Sequence, residues 1–114
     1  MNKLKQFKKE RNAKDKAWRQ SCLQRDNHEC VICGSKIRPN VHHIIPRVNK
    51  EFRNDVNNGI VLCPRHHRFS FEFSAHQNPF VFYLWMMENR KEQFEYLEEK
   101  ISNKNKPLES CVMK

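Results

Sequence analysis

The sequence predicts a small α+β domain, in which two short strands and a short helix lie between a basic N-terminal helix and a long C-terminal helix. Two segments, residues 13–25 and 78–102, have apolar residues at helical spacing. Two shorter apolar runs, residues 37–45 and Gly59–Leu62, are typical of strands and are joined by a polar, asparagine-rich loop. Pro64 follows the second run and favours the first position of a helix, which we expect to run for two turns, through Phe71. A chain of 114 residues is expected to form one domain with a modest core.

The first half of the chain carries the entire excess of positive charge. Residues 1–53 contain 14 lysines and arginines against 5 acidic residues, whereas the remaining residues contain 8 of each. This asymmetry is typical of proteins that bind nucleic-acid backbones, although a solubilising tail has a similar composition. We expect a basic arm with the start of a helix over residues 1–17. The helix then continues to about residue 25, with Trp18 and Cys22 in the core.

Cysteine usage indicates metal binding. No apolar run reaches the roughly 20 residues that a membrane span needs, and the N-terminus lacks the apolar segment of a signal peptide. We therefore expect a cytoplasmic protein with no membrane partner, in which thiols stay reduced. Cys30 and Cys33 form a C-x2-C pair, and Cys63 with His66 forms a C-x2-H pair. Four such ligands can hold one structural Zn2+ ion tetrahedrally, so the spacing predicts a zinc site.

A second set of polar residues is interleaved with the zinc ligands. His42 and His43 are adjacent on the first predicted strand, so their side chains point to opposite faces and cannot easily chelate one ion together. One of them can bind a divalent ion with His67, and the other can act as a general base near neutral pH. Asn58, on the far side of the hairpin, can orient that base. Taken singly, however, a histidine is more often a core or surface residue, and a loop asparagine is more often a turn former.

The C-terminal region predicts one long helix with one buried face. Asn78 and Pro79 provide an N-cap and a first-turn proline. The expected buried stripe consists of Tyr83, Met87, Phe94, Leu97 and Ile101, with Phe80 and Leu84 beside it.

Three segments together resemble the signatures of the HNH endonucleases, a family widespread in phages, mobile elements and restriction systems. They are His42-His43-Ile44-Ile45-Pro46, Asn58-Gly59-Ile60-Val61-Leu62-Cys63 and Cys63-Pro64-Arg65-His66-His67, while Arg25-Asp26 ahead of Cys30-Val31-Ile32-Cys33-Gly34 resembles the lead-in of the zinc-containing branch. The resemblance covers about residues 18–72. It implies a zinc-stapled ββα-metal core over residues 18–73, followed by a helical extension over residues 74–102 and a flexible tail over residues 103–114.

The resemblance also implies a role for each residue of the second set. His43 corresponds to the general base that activates water, Asn58 to the residue that orients the base, and His42 and His67 to ligands of the catalytic metal. The zinc-containing branch usually has cysteine at the position of His66, which leaves open whether His66 or His67 closes the zinc site.

Some family members have a third metal-binding histidine one helical turn after the last histidine of the motif. Phe71 occupies that place in this chain. The catalytic ion would then have only two protein ligands and more water, which favours Mg2+ or Mn2+, with Ni2+ as a further option. His76 is a candidate substitute, although its place before a helix cap also fits a surface residue.

We therefore expect a metal-dependent endonuclease that nicks or cuts DNA. Arg47 and Lys50 follow the histidine pair and are candidates for holding flanking phosphates, with a solvated loop as the alternative. Two other functions remain open. One is a non-catalytic, zinc-stapled DNA-binding module, and the other is an accessory subunit that docks on a phage packaging or restriction complex through its C-terminal helix.

Overall fold

A two-stranded antiparallel sheet lies at the centre of the fold. The computed structural model of the protein describes residues 2–104. Strand β1 is Asn40–His43 and strand β2 is Gly59–Leu62, with Val41 opposite Val61 and His43 opposite Gly59. Because side chains alternate along a strand, Val41, His43 and Val61 share one face. His42 and Ile60 lie on the other.

The first face packs against the N-terminal helix. Helix α1 is Lys3–Arg25, and its Trp18 and Cys22 form a buried cluster with Val41 and Val61. The indole Nε1 of Trp18 donates a 2.7 Å hydrogen bond to the carbonyl oxygen of Asp55. Trp18 is 6% exposed and Cys22 is fully buried, so both are core residues as predicted.

The second face packs against the C-terminal helices. Helix α2 is Pro79–Asn89 and helix α3 is Lys91–Lys104. The buried residues of this larger core include Ile60, Leu62, Phe52, Phe82, Met86 and Leu97. The predicted α+β class, with a small hairpin between N-terminal and C-terminal helices, is thereby confirmed. Within residues 2–104, no helix combines the length and apolar character that crossing a membrane requires.

Helix α1 begins about ten residues earlier than the prediction. Asn2 caps it by accepting a 2.8 Å hydrogen bond from the backbone N–H of Lys5. Neither glycine nor proline occurs between Lys3 and Arg25, and the lysines, arginines and glutamines there are good helix formers. The basic arm is therefore helical, although its side chains contribute little burial.

The central elements are shorter than predicted. Strand β1 covers four of the nine residues expected, because the backbone is left-handed at Arg38 (φ 45°) and the segment opposite Ile44 is a 3-10 turn, Val56–Asn58, and not a strand. The helix expected to run for two turns from Pro64 is a π-helical segment, Arg65–Phe69. Ser70 is already extended. The assumption that this helix continues through Phe71 is therefore wrong.

The single C-terminal helix of the prediction is two helices. Asn78 caps α2 as expected, and its side chain accepts a hydrogen bond from the N–H of Val81. The chain leaves helical geometry at Arg90, so the predicted stripe is out of phase in α2. Phe82 and Met86 are buried there, whereas Tyr83, Met87, Phe80 and Leu84 are exposed. In α3 the prediction holds, with Leu97 buried and Phe94 and Ile101 partly buried. Of the predicted tail, residues 103–104 belong to α3, and residues 105–114 lie outside the described part of the chain.

A buried carboxylate explains the break at Arg90. Asp26 accepts two hydrogen bonds from Arg25, a third from Arg90 Nη2 at 3.1 Å, and one from the N–H of Val61. Burial raises the pKa of the Asp26 carboxyl, but the hydrogen bonds and charges of Arg25 and Arg90 outweigh it and hold this pKa below its usual range. Asp26 thus joins α1, β2 and the α2–α3 junction. Removing one partner of such a buried pair is strongly destabilising.

Gly59 allows the close packing of α1 on the sheet. A Cβ at this position would lie 2.8 Å from Cζ2 of Trp18 and closer still to Sγ of Cys22. We expect Gly59→Ala to lower the free energy of unfolding by about 1–3 kcal/mol, because the helix must move away from the hairpin. Denaturant unfolding measures this loss.

A double-mutant cycle with Cys22→Ala separates crowding from other causes. Removing the thiol makes room for the new methyl group, so the double variant should lose less stability than the sum of the two single variants. A Gly59→Ala protein as stable as the wild type would contradict this account of the packing.

Candidate active site

The first half of the zinc cluster is a tight turn. The backbone N–H of Gly34 donates a 2.7 Å hydrogen bond to the carbonyl of Cys30, and the N–H of Cys30 donates to the carbonyl of Ser35. Gly34 has φ 77°, a left-handed conformation that glycine adopts without strain. The turn brings the thiols of Cys30 and Cys33 to one side. Burial raises the pKa of the Cys30 thiol, but hydrogen bonds from surrounding backbone N–H groups lower it by more. The pKa of Cys30 is therefore below its ordinary value, which favours the thiolate that metals bind.

The second half of the cluster comes from the end of β2 and the π-helical segment. Sγ of Cys33 lies 3.7 Å from Sγ of Cys63, and Nδ1 of His66 lies 3.3 Å from Sγ of Cys63 and 3.7 Å from Sγ of Cys30. Ligands of a tetrahedral zinc ion are about 3.4–3.8 Å apart, given the usual zinc–sulfur and zinc–nitrogen bond lengths. The four residues therefore fit a structural zinc ion.

The position of His66 decides which histidine belongs to which cluster. His66 and the three cysteines offer ligand atoms that all lie within 4.8 Å of one another. His67, the next residue, points away from them and joins a second group with His42 and His76, whose ligand atoms satisfy the same limit. The alternative in which His67 closes the zinc site is therefore not the arrangement in the structure.

Three histidines from three parts of the chain meet in the second group. Nε2 of His76 lies 3.0 Å from Nε2 of His67, and the ring of His42 lies about equally far from both, with centroid distances of 5.0 Å and 5.1 Å. His42 comes from β1 and His67 from the π-helical segment. His76 is brought in by the following loop, since its N–H donates to the carbonyl of His67 at 3.0 Å.

His76 takes the place that the sequence leaves to Phe71. Because the helix ends before Ser70, Phe71 is 79% exposed and is not one of the three grouped residues. The sequence offered His76 only as a candidate, since no fixed helical spacing connects it to His67. The predicted surface position is partly right, because the His76 ring belongs to the group while the residue as a whole stays exposed.

All three histidines are held neutral. Burial, with smaller contributions from the neighbouring histidines and Arg68, lowers the pKa of His42 to about 3 and that of His67 to about 4. Burial and the charge of Arg68 also lower the pKa of His76. Neutral imidazoles offer the lone pairs that a divalent ion needs, so the group fits a metal ion.

His43 lies on the opposite face of β1, as the alternation of side chains predicts. Its ring stacks on Trp18 at a centroid distance of 4.0 Å, and Nε2 lies 3.0 Å from the carbonyl oxygen of Arg53. A carbonyl only accepts, so this hydrogen bond assigns the proton to Nε2 and leaves the lone pair on Nδ1. Burial lowers the pKa of His43, although the Arg53 carbonyl partly opposes this shift. The His43 ring is thus oriented by this hydrogen bond and uncharged near neutral pH.

Asn58 is fully buried and holds the loop rather than the His43 ring. Within the described residues, its side chain accepts a 2.6 Å hydrogen bond from the N–H of Ile45 and donates to the carbonyls of Ile45 and Phe52. Phe52 immediately precedes Arg53, whose carbonyl bonds to His43. Any orienting effect of Asn58 on the base is therefore indirect. The guanidinium of Arg53 is itself fixed by two hydrogen bonds to Asp15.

Both faces of β1 border one cavity of about 590 Å³. His42, His43, His67 and His76 all line it, together with Arg47 and Arg68. The two candidate phosphate-binding residues, Arg47 and Lys50, do not lie in the same cavity. Arg47 lies at the histidines, whereas Lys50 lines a different groove, beside Arg11 and Lys14 of α1.

Comparison with known protein families identifies the same part of the chain as the site geometry does. A family model described as HNH endonuclease matches residues 30–74, which include both strands, the four residues of the cysteine and histidine cluster, and three of the four histidines that line the cavity. This match confirms the resemblance over the core and supports a nuclease-type function, because HNH nucleases act on DNA. His76 lies just beyond the matched residues. Searches of curated proteins and of solved structures gave no match.

The two adjacent histidines provide a matched test of the zinc site. We expect the protein to retain one zinc ion per chain after a weak chelator has emptied the histidine group, and His66→Ala to lose it while His67→Ala keeps it, because His66 lies with the cysteines and His67 does not. The melting temperature of His66→Ala should fall by about 4–8 °C for each kcal/mol of zinc-dependent stability that is lost. Elemental analysis and thermal melting measure both effects. Zinc loss in His67→Ala alone would reverse the assignment.

Proposed function

We propose that this chain, whose residues 30–74 match the HNH endonuclease family, hydrolyses phosphodiester bonds of DNA with His43 as general base and a divalent ion held by His42, His67 and His76. One observation carries the proposal. Strand β1 sends two adjacent histidines to different partners, His42 to the histidine group and His43 to the Arg53 carbonyl, yet both line the same cavity. A purely structural zinc module needs neither arrangement.

His43 takes a proton from the attacking water. Its Nε2–H is bonded to the Arg53 carbonyl, so Nδ1 carries the lone pair that accepts the proton. The lowered pKa of His43 keeps this lone pair free near neutral pH. Once the ring is protonated, the carbonyl still accepts from Nε2 and stabilises the imidazolium. The Asp15–Arg53 ion pair fixes the loop that carries this carbonyl. The side chain of Asn58 holds the same loop through hydrogen bonds to the backbone of Ile45 and Phe52.

His42, His67 and His76 would hold the catalytic ion. When bound, such an ion stabilises negative charge on the phosphate and on the departing 3′ oxygen. Three imidazole nitrogens suit Ni2+ or Zn2+ better than Mg2+, so His76 moves our expectation away from the magnesium-type site that two ligands suggested. Arg47 and Arg68 line the same cavity and supply guanidinium groups for the phosphate oxygens. Lys50 and the basic side chains of α1 lie farther out, where they can meet flanking phosphates.

Cleavage of supercoiled plasmid tests the proposed base. We expect His43→Ala to lower the cleavage rate by about 10²–10⁴-fold, the usual loss when a general base is removed. Zinc content and DNA affinity should stay close to those of the wild type, while the melting temperature should fall by a few degrees because the stacking on Trp18 is lost. His28→Asn is a suitable control, since His28 is an exposed histidine in a left-handed turn (φ 58°) that asparagine tolerates. Full activity of His43→Ala would favour a non-catalytic DNA-binding module instead.

Metal titration of the cleavage rate tests the third ligand. We expect His76→Ala to raise the Mn2+ or Ni2+ concentration needed for half-maximal cleavage by about tenfold or more, because losing one ligand should cost at least as much as losing a partner of a ligand. Its zinc content should be unchanged. Phe71→Ala is the control and should leave the metal requirement unaltered, since Phe71 is exposed and lies outside the group. If Phe71→Ala has the larger effect, His76 is not the third ligand.

A further inference from the structure

A second groove, of about 430 Å³, adjoins the cavity that contains the four histidines. Asn40, His67 and Arg68 line both, so the two are continuous along this edge. The groove is also lined by Arg19 and Arg38 and by the ring of Phe69, and the proposed mechanism uses none of these three residues. We refer to this surface, formed by Arg19, Arg38, Asn40, Arg68 and Phe69, as the side groove.

The side groove is strongly cationic. Its three arginines come from separate elements, namely α1, the loop before β1 and the π-helical segment. No carboxylate is among the described residues that line it, and none of residues 2–104 forms an ion pair with these arginines. Arg19 donates to Oδ1 of Asn40, which fixes its direction. Three exposed guanidinium groups next to a proposed phosphodiesterase centre suit the phosphates of a nucleic-acid strand.

Phe69 distinguishes which kind of strand the side groove fits. Its side chain is 70% exposed, although contact of an apolar ring with water is less favourable than its burial. In a paired duplex each base is stacked on its neighbours, so its flat face is not free. A basic groove with an aromatic platform is the arrangement that binds unpaired nucleotides, because the phosphates meet the cations and a base stacks on the ring.

We propose that the side groove binds an unpaired stretch of DNA strand next to the cleavage site, with a base stacked on Phe69 and phosphates on Arg19, Arg38 and Arg68. The inference rests on the proposed nuclease function and adds a substrate class to it. DNA with a single-stranded segment beside the cut would be bound more tightly than a continuous duplex.

Fluorescence anisotropy with labelled oligonucleotides tests the inference without cleavage, because no divalent ion is added. The probes are a single DNA strand and a duplex of the same sequence. We expect Phe69→Ala to weaken binding of the single strand by about 5- to 150-fold, the usual effect of losing one stacked base, and to leave duplex binding nearly unchanged. Phe69→Trp keeps an aromatic platform and should keep the affinity of the wild type.

Phe80→Ala is the matched control. Phe80 is 71% exposed on α2 and is not among the residues that line the side groove, so its loss should affect neither probe. Zinc content and melting temperature show that each variant is folded. Unchanged single-strand affinity in Phe69→Ala, equal losses for both probes, or the same loss in Phe80→Ala would overturn the inference. Tighter binding of the matched RNA strand would also overturn it in favour of RNA.

Arg38→Gln gives a second test that does not alter the helical segment. It should flatten the salt dependence of single-strand binding by about 0.7 in log–log slope for each phosphate that Arg38 neutralises in the wild type, whereas Lys91→Gln on α3 should not. An unchanged slope in Arg38→Gln would show that Arg38 contacts no phosphate of the bound strand.

Plasmid cleavage by the wild type is measured separately. Cleavage with normal Phe69→Ala binding rejects the side groove alone, and Phe69-dependent binding without cleavage rejects the nuclease proposal alone.

Discussion

The register of two four-residue strands is the constraint on which the site depends. Because Val41 pairs with Val61 and His43 with Gly59, the face toward α1 carries His43 and the opposite face carries His42. A shift of one residue would exchange the two faces and place both imidazoles in the wrong environment. Gly59 reinforces this register, since only a residue without a side chain leaves room for Trp18, on which the His43 ring is stacked.

So short a hairpin needs support from outside the sheet, and three groups of polar side chains supply it. The Cys30, Cys33, Cys63 and His66 cluster ties the turn before β1 to the end of β2. Asp26 joins α1, β2 and the helix junction through buried charged hydrogen bonds. Asn58 closes the loop between the strands. The cluster includes His66, the neighbour of His67, and Asp26 bonds to Val61, which pairs with Val41 beside His42. Asn58 bonds to Phe52, which precedes the Arg53 carbonyl bonded to His43. The parts that stabilise the fold therefore also set the geometry of the candidate site.

Local rules predicted those parts of the site that depend on local geometry. Cysteine spacing identified the four residues of the cluster that fits a zinc ion, and strand alternation separated His42 from His43. The predictions that failed depend on tertiary contacts or on the actual length of a helix. The C-terminal helix breaks because Arg90 turns toward Asp26, 64 residues earlier in the chain, and no pattern near Arg90 records that partner. Similarly, the spacing argument placed Phe71 near the metal because it assumed a regular helix after Pro64. The π-helical segment ends too soon for that.

His76 changes the meaning of the C-terminal helices. The loop that carries it is held by Ser74, which is fully buried and caps the next turn, where its hydroxyl accepts from the N–H of Gln77 and its carbonyl accepts from the N–H of Asn78. Asn78 is in turn the cap of α2, and Phe82 of α2 packs edge-on against the His42 ring. The third nitrogen of the histidine group therefore depends on the docking of α2. A helix that from sequence alone resembles an added extension therefore helps to hold the three grouped histidines in place.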